Sequence, residues 1–581
     1  MEESGKKSFV HILRSRAEYA PNRLAFSFAR DNDNGEILFD YAQLDLAARR
    51  IAVELIKKSF GGGRAVLLYQ PGPEYICALA GCWYAGVTAV PVYAPRANAS
   101  LGRVHTIVAN ARASVVLTSQ KILSSIEESQ HIAMAKSGLR MIATDTLDAH
   151  EDDWRMPAIN EETLAVLQYT SGSTGVPKGV RLTHRHLLVN SRMIHQSVRT
   201  NTDSVGVFWL PPYHDMGLIG AILQPFYTGF PTYLMSPTGF LQRPMRWLEA
   251  LSRHRGTVSA APNFAFELCA KRVKPEQLPQ LDLASWDLVV NGAEPVRADS
   301  MRRFAQVFAP AGFRARTFFP SYGMAETTLF VSGISVGNDM RSLRASRDAI
   351  ANGEIIESAQ GVEDMQTIEM VSCGRPNPEI EVRIVDPQTS VECAPGAVGE
   401  IWAHGETVAD GYWDRPEETE ATFRARMVGD ERHWLRTGDL GATVDGELFI
   451  TGRTKDLIII RGHNHYPHDI EATVLSAHIA IRPGGAAAFA LDTEDGEALG
   501  LVVELDRNWS SDDPTDVAQA IRDAVSRQHQ LQIARLALVK ANSVPKTSSG
   551  KVQRYLAKQN MIKGLMEEMG KGAVDESLAV G

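Results

Sequence analysis

Between Tyr169 and Val180 the chain reads Tyr-Thr-Ser-Gly-Ser-Thr-Gly-Val-Pro-Lys-Gly-Val. Thr170, Ser171, Ser173 and Thr174 place four hydroxyl donors within five residues. Gly172, Gly175 and Gly179 let the backbone turn sharply and bring its N–H groups close to an anion. Lys178 adds a mobile positive charge that can follow a phosphate. Lys178 is followed by Gly179 and not by Ser or Thr, so this is not a Walker A loop. Composition alone fits a plain surface loop equally well. The lysine and its spacing favour a phosphate site.

Five further segments carry chemistry-bearing side chains. They are Asn291-Gly-Ala-Glu-Pro-Val-Arg297, Ser321-Tyr-Gly-Met-Ala-Glu-Thr327, Thr437-Gly-Asp-Leu440, Gly452-Arg-Thr-Lys-Asp456 and Pro545-Lys-Thr-Ser-Ser-Gly-Lys551. Taken singly, Glu326 reads as a helix cap, Asp439 as part of a Gly-Asp turn and Lys551 as a solvated lysine. His463-Asn-His-Tyr-Pro-His468 places three histidines within six residues, which imitates a metal site. No cysteine stands in this segment, and a solvated loop is expected there.

The elements that must position these residues fall into two regimes. Up to about residue 452 helical and strand patterns alternate. Tyr41–Ile56 has apolar residues at helical spacing, whereas Ala65–Tyr69, Val115–Thr118, Thr163–Tyr169 and Leu288–Asn291 are short apolar runs. The alternation predicts parallel α/β sheets with helices between. Thr437–Leu440 is expected to end a strand. After Gly452, strands near Ala486–Leu491 and Leu501–Leu505 and a helix over Pro514–His529 predict a small α+β domain. The tail from Met566 is expected to fray.

A chain of 581 residues exceeds one hydrophobic core. Its net charge of −9 argues against a general nucleic-acid binder. Five scattered cysteines fit a reducing cytoplasm without a disulfide frame. Met1–Arg16 lacks the apolar core of a signal peptide. Tyr75–Ala94 is uncharged, but Gly81, Gly86 and Pro91 interrupt it, so a buried helix and strand are expected rather than a membrane span.

The six motifs, in this order and over nearly the whole chain, resemble the adenylate-forming superfamily of acyl-CoA synthetases, luciferases and peptide-synthetase adenylation domains. The resemblance implies a large adenylation domain over 1–452, a hinge at 453–456 centred on Lys455, a mobile C-terminal domain over 457–565 and a polar tail over 566–581. It implies ATP and Mg²⁺ as cofactors. The loop Thr170, Ser171, Gly172, Ser173, Thr174, Gly175 and Lys178 then holds the β- and γ-phosphates. Gly292, Ala293, Glu294 and Pro295 form the adenine slot with Ser321, Tyr322, Gly323 and Met324, and Tyr322 stacks on the base. Glu326 holds the metal, Asp439 takes the ribose hydroxyls and Arg453 assists nearby. Lys551, with Lys178 and Glu326, is catalytic: it bridges the attacking carboxylate and the α-phosphate.

Trp209-Leu-Pro-Pro-Tyr-His-Asp-Met-Gly-Leu-Ile-Gly220 and Ala261-Pro-Asn-Phe-Ala-Phe-Glu-Leu-Cys269 resemble the fatty-acyl-AMP ligase branch, as does the long connection 327–373. In that branch an insertion, expected here within 331–373, packs between the domains. The acyl acceptor is then a separate acyl carrier protein bearing phosphopantetheine, rather than free CoA. His214, Phe264 and Asn263 are expected at a fatty-acid tunnel, with Phe208, Trp209, Phe226, Phe230, Phe266 and Met235 as further lining. An acyl-CoA synthetase and a non-catalytic adenylate-binding scaffold are the alternatives. No Asp-Ser-Leu arm-attachment motif follows on this chain, so the carrier is expected on another polypeptide.

Overall fold

The computed structural model describes residues 7–30, 35–93, 102–126, 139–170, 177–358, 366–493, 496–507, 509, 514–547 and 550–569. Two large sheets dominate the first three quarters of the chain. The first has nine strands, in the spatial order 375–376, 330–333, 318–323, 288–291, 258–261, 206–208, 232–234, 24–29 and 36–40. The second has six, in the order 140–143, 115–118, 64–69, 88–93, 164–170 and 178–183. Most interior strands are parallel, as the alternating pattern predicts, but Phe330–Gly333 runs antiparallel to both its neighbours.

The edges depart from that pattern. Lys178–Thr183 runs antiparallel to Leu164–Thr170, with Thr170 opposite Lys178. A short connection cannot make the crossover that a parallel pair requires. The phosphate-loop candidate thus joins two arms of a hairpin rather than a strand and a helix. Of its residues, Ser171, Gly172, Ser173, Thr174 and Gly175 lie outside the described part.

The core between the sheets is filled by helices whose sequences specify them locally. Asp40 caps Tyr41–Lys57 and forms a reciprocal capping box with Gln43. Leu44, Ala48, Ile51 and Leu55 give that helix its buried stripe. The uncharged segment folds into the helix Pro73–Tyr84, buried on all sides, followed by the strand Thr88–Tyr93. Among the described residues no helix is long and apolar enough to cross a membrane.

Residues 380–453 form a four-stranded antiparallel sheet. Thr437–Leu440 lies inside its strand Leu435–Val444, not at an end. In the ladder with Gly399–Gly405, Trp402 pairs with Arg436 and Glu400 with Leu440, so Thr437–Asp439 bulge opposite Ile401 and the Asp439 side chain is re-aimed within the strand. The expected insertion is more than a surface loop. Ser342–Ser346 and Thr367–Val371 pair antiparallel, and Arg347–Ala351 forms a short helix. Leu343, Ala345, Ile350 and Met370 share an apolar cluster with Leu440, Ala442, Phe449 and Tyr466.

Beyond Arg453 the chain builds a three-stranded sheet from Ile481–Thr493, Gly496–Leu505 and Ile533–Val539. Alternate residues serve two cores. Ala486, Ala488, Leu501 and Val503 pack with the helices Pro467–Ala477 and Thr515–His529. Ala487, Phe489, Val502 and Ala537 pack with the helix Arg554–Ile562. The segment after Met566 is not frayed at its start. Met566 packs on this second core, Glu568 bridges Val539, and the Met569 N–H donates to the Leu538 carbonyl at 2.8 Å. The free strand edge beside Val539 supplies those partners.

Candidate active site

A cleft of about 3510 Å³ opens between the large sheets and the C-terminal domain. Its lining includes Asn263, Phe264, Ala293, Glu294, Pro295, Ser321, Tyr322, Gly323, Asp439, Arg453 and Lys551. Residues from distant parts of the chain therefore face one space. Register explains part of this: Asn291 pairs in parallel with Pro320, which brings Gly292–Pro295 beside Ser321–Gly323 at adjacent strand ends.

Asp439 organises the floor. Its Oδ2 accepts the Tyr322 hydroxyl at 2.7 Å, and its Oδ1 accepts Arg453 Nε at 2.9 Å. Each carboxylate oxygen has a second lone pair, so it retains acceptor capacity. The negative charge of Asp439 raises the Arg453 pKa, while burial raises that of Tyr322. Glu400 supports this strand from beneath, accepting the Gly438 N–H at 3.1 Å and pairing with Arg436 at 2.7 Å.

Glu326 lies in the 3-10 turn Ala325–Thr327 and is buried. Burial pushes its pKa up. The Tyr412 hydroxyl, donating to Oε1 at 2.8 Å, opposes that shift. Lys178 opens the strand Lys178–Thr183, forms an ion pair with Glu418 and lies 4.9 Å from the centre of the Tyr412 ring. Tyr412 thus touches both a phosphate-loop lysine and a buried carboxylate. Sequence reading missed Tyr412 and Glu418, because neither stands in a segment whose spacing signals chemistry. Tyr412 is 86 residues from Glu326, and only tertiary contact joins them.

Lys551 is half-buried and is held beside Thr547. The Thr547 N–H donates to the Lys551 carbonyl at 2.8 Å, and the Lys551 N–H donates to Thr547 Oγ1 at 3.1 Å. Gly550, with φ of +90°, packs so tightly on Phe264 that a Cβ there would lie 3.1 Å from the ring. Burial and the charge of Arg453 lower the Lys551 pKa; Asp215, Glu294 and Asp439 pull it back up. His214 feels both Asp215 and Lys551, and burial drives its pKa down to about 4. Asp215, next to His214 in sequence, was a readable neighbour that the sequence reading did not single out.

Trp209, Pro211, Leu241, Phe264 and Leu268 give the cleft an apolar wall. Trp209 stacks on Phe240 with centroids 3.9 Å apart. Phe226, Phe230 and Phe266 are fully buried in the core and do not line the cleft. Asn263 is committed to the scaffold. Its Oδ1 accepts the Arg297 N–H at 3.0 Å, and its amide nitrogen donates to Ser300 Oγ at 3.0 Å. The Glu294 carboxylate accepts the Phe264 N–H at 2.6 Å, at the start of the helix Asn263–Arg272.

Lys455 lies in the 3-10 turn Thr454–Asp456. Asp439 holds the residue before this turn, Arg453, and Arg554 pairs with Asp456 at 2.7 Å. His463 and His465 lie on a strand paired with Ile458–Ile460, and Arg297 Nη2 donates to the His468 carbonyl at 3.3 Å. The insertion touches both domains. Arg302 on the helix Ala298–Phe308 grips Glu369, and Arg347 pairs with Asp469 of the C-terminal domain.

A doubly wound body, a small α+β domain over its cleft and a lysine from that domain lining the cleft define an adenylate-forming ligase. The family model for the AMP-binding enzyme matches residues 13–413, and that for the Disco-interacting protein 2-like AMP domain matches residues 455–570. The chain belongs to the AMP-binding enzyme family. It is 42% identical over 568 residues to the medium-chain-fatty-acid–[acyl-carrier-protein] ligase JamA of Moorena producens, covering 97% of this chain and 96% of that protein. It is 37% identical over 570 residues to the 4-hydroxyphenylalkanoate adenylyltransferase of Mycobacterium tuberculosis, covering 94% and 91%. The fatty acyl-adenylate ligase of Legionella pneumophila, solved with acyl adenylate and pyrophosphate, superimposes with a TM-score of 0.76 at 35% identity, covering 98% of this chain and 100% of that one.

Proposed function

We propose that this enzyme activates a fatty acid with ATP and passes the acyl group to the phosphopantetheine thiol of a separate acyl carrier protein. A carboxylate oxygen attacks the α-phosphorus, the bond to pyrophosphate breaks, and an acyl-adenylate forms. The thiol sulfur then attacks the acyl carbon, its proton leaves to solvent, and AMP departs. The observation that carries this reading is Lys551, which lines the same cleft as Asp439 and Arg453 with Gly550 against Phe264.

Lys551 screens two anions that otherwise repel, the attacking carboxylate and the α-phosphate. Positioned charge of this kind is typically worth ~10²–10³ in rate. Lys178 and Thr170 serve the outer phosphates. Tyr322 and the Gly292–Pro295 segment receive adenine, and Asp439 receives the ribose. Glu326 fits a magnesium ion shared with the phosphates, being a buried oxygen donor whose orientation Tyr412 fixes. When bound, that ion supplies charge neutralisation on the phosphates. His214 and Phe264 flank the acyl carboxylate, and the Trp209 wall receives the chain. Lys455 is the hinge that lets one cleft serve both half-reactions. The free, mostly buried cysteines suit a reducing cytoplasm.

The insertion's grip on both domains supports a carrier rather than CoA as acceptor. The similarity to an adenylyltransferase of 4-hydroxyphenylalkanoates favours a second reading, an acid with an aryl tail. A two-acceptor assay tests both. Protein, Mg·ATP and labelled dodecanoic acid or 4-hydroxyphenylalkanoic acid are mixed with CoA or with phosphopantetheinylated carrier protein. Dodecanoyl-AMP that persists with CoA and discharges onto the carrier is the expected result. Efficient acyl-CoA formation makes the enzyme a CoA ligase; turnover of the aryl acid alone moves the substrate class.

A further inference from the structure

Glu504 is a fully buried carboxylate that the chemistry above does not use. It lies on the strand Gly496–Leu505 of the C-terminal sheet. The neighbouring strand leaves the ladder opposite it: Ile481 pairs with Leu505 and Ala486 with Val503, while Arg482–Gly485 bulge out. Bulges re-aim side chains. This one turns Arg482 back, so that its Nη1 donates to Glu504 Oε2 at 2.8 Å and to Asn542 Oδ1 at 2.6 Å. Gly485 is the residue that permits the approach, since a Cβ there would lie 2.7 Å from the Glu504 Cβ.

On its other side Glu504 stands in register with Val539. Its Oε1 accepts the Val544 N–H at 2.8 Å. Val544 immediately precedes Pro545, where the Lys551 arm begins. That arm is closed at its base as well as its tip: the Gln553 N–H donates to the Pro545 carbonyl at 2.8 Å, and Lys546 bridges Val552. The described parts of the arm, 545–547 and 550–553, are therefore tied to one another, and its root is pinned to Glu504. A buried charge is costly unless it is paired and hydrogen-bonded, and removing one partner is strongly disruptive. Both oxygens of Glu504 are engaged, one by the bulge and one by the arm.

We propose that Glu504 is a positioning residue for Lys551, fixing the root of the arm so that the ammonium enters the cleft at the height of the reacting groups. The inference rests on the assignment of Lys551 to acyl-adenylate formation. In that scheme the small domain turns about the Lys455 hinge for acyl transfer and takes Lys551 out of the cleft, so transfer does not require the arm in place. The two half-reactions should then respond differently.

The test is Glu504→Gln in the full chain, which keeps the size and one acceptor but removes the charge that holds Arg482. Dodecanoyl-AMP formation from dodecanoic acid and Mg·ATP should slow by about 10- to 100-fold, the range expected for a misplaced catalytic group. The KM for ATP should not change. Discharge of supplied dodecanoyl-AMP onto a phosphopantetheinylated carrier should run at the wild-type rate. In a Lys551→Ala background, Glu504→Gln should cause no further loss of adenylation, because both act through one group. Equal losses in both half-reactions, or additive losses with Lys551→Ala, would overturn the proposal and make Glu504 a stability residue. Asn542→Gly gives a milder disturbance if the first variant does not fold. It tolerates the φ of +73° and removes the second acceptor of Arg482, so the same split, smaller, is expected. Wild type that forms no dodecanoyl-AMP would refute the functional reading itself.

Discussion

Tyr412 shows how one side chain serves two charges. Its ring lies beneath the Lys178 ammonium and its hydroxyl holds Glu326. The two contacts can be separated by substitution. Tyr412→Phe keeps the ring and removes the donor to a buried carboxylate, and a hydrogen bond to a charged group contributes about 1.5–3 kcal/mol. If that energy is used to orient Glu326, adenylation should fall by about 10- to 100-fold, since 1.4 kcal/mol is a factor of ten. Steady-state rates of pyrophosphate release read this directly. Unchanged rates would reduce Tyr412 to a packing residue. Asp439 differs, because Tyr322 and Arg453 both engage it from the protein side. The site is thus organised by contacts within the protein itself.

At the scale of elements, the turn Thr454–Asp456 is the narrowest connection between the domains. Arg453 is tied to Asp439 on one side. On the other, Asp456 is tied to Arg554, which also grips Glu471 at 2.7 Å. If the small domain rotates as proposed, Thr454 and Lys455 are the residues between these two anchors that would absorb the turn. Proline is tolerated in the first turn of a helix but locks φ near −65°. Lys455→Pro should consequently preserve acyl-adenylate formation in the observed arrangement and suppress acyl transfer. Burst kinetics with carrier protein would show the adenylate forming and then stalling. Full-rate transfer would place the pivot elsewhere. The same logic explains why the insertion matters. Its Arg347 contacts Asp469, so any rotation of the small domain must break that ion pair.

Over the whole molecule, histidines buried near the domain junction set a pH limit. Burial lowers His214, His468 and His529 to about 4, from 6.5 when exposed. A depressed imidazole binds its proton more tightly in the unfolded chain. Its contribution to stability is complete above pH 6.5 and is lost as pH falls from 6.5 towards 4. Denaturant midpoints measured at stepped pH should be level above this window and decline through it. Replacing His468 with Gln should make the decline shallower, because one proton fewer is taken up on unfolding. An unaltered slope would show that His468 is not held neutral.

Much of this molecule was legible in its sequence. Alternating apolar runs and helical stripes depend only on local periodicity, and they located several central strands, the helix Tyr41–Lys57 and two of the three strands of the C-terminal sheet. The motif segments fixed the enzyme family, because their residue types and order are themselves linear information. Sequence did not show that residues 331–373 build a sheet sharing a core with Phe449 and Tyr466, since that pairing is non-local. It did not reveal that Thr437–Leu440 lies within a strand or that Met566–Met569 dock on a free edge. Nor did it separate Trp209 on the cleft wall from Phe226 in the core, because both are simply large and apolar. Types and order of residues determined the chemistry available to this protein. Tertiary structure alone decided which charges meet, because Glu326 with Tyr412, Asp439 with Arg453 and Glu504 with the Lys551 arm are joined through space and not through spacing along the chain.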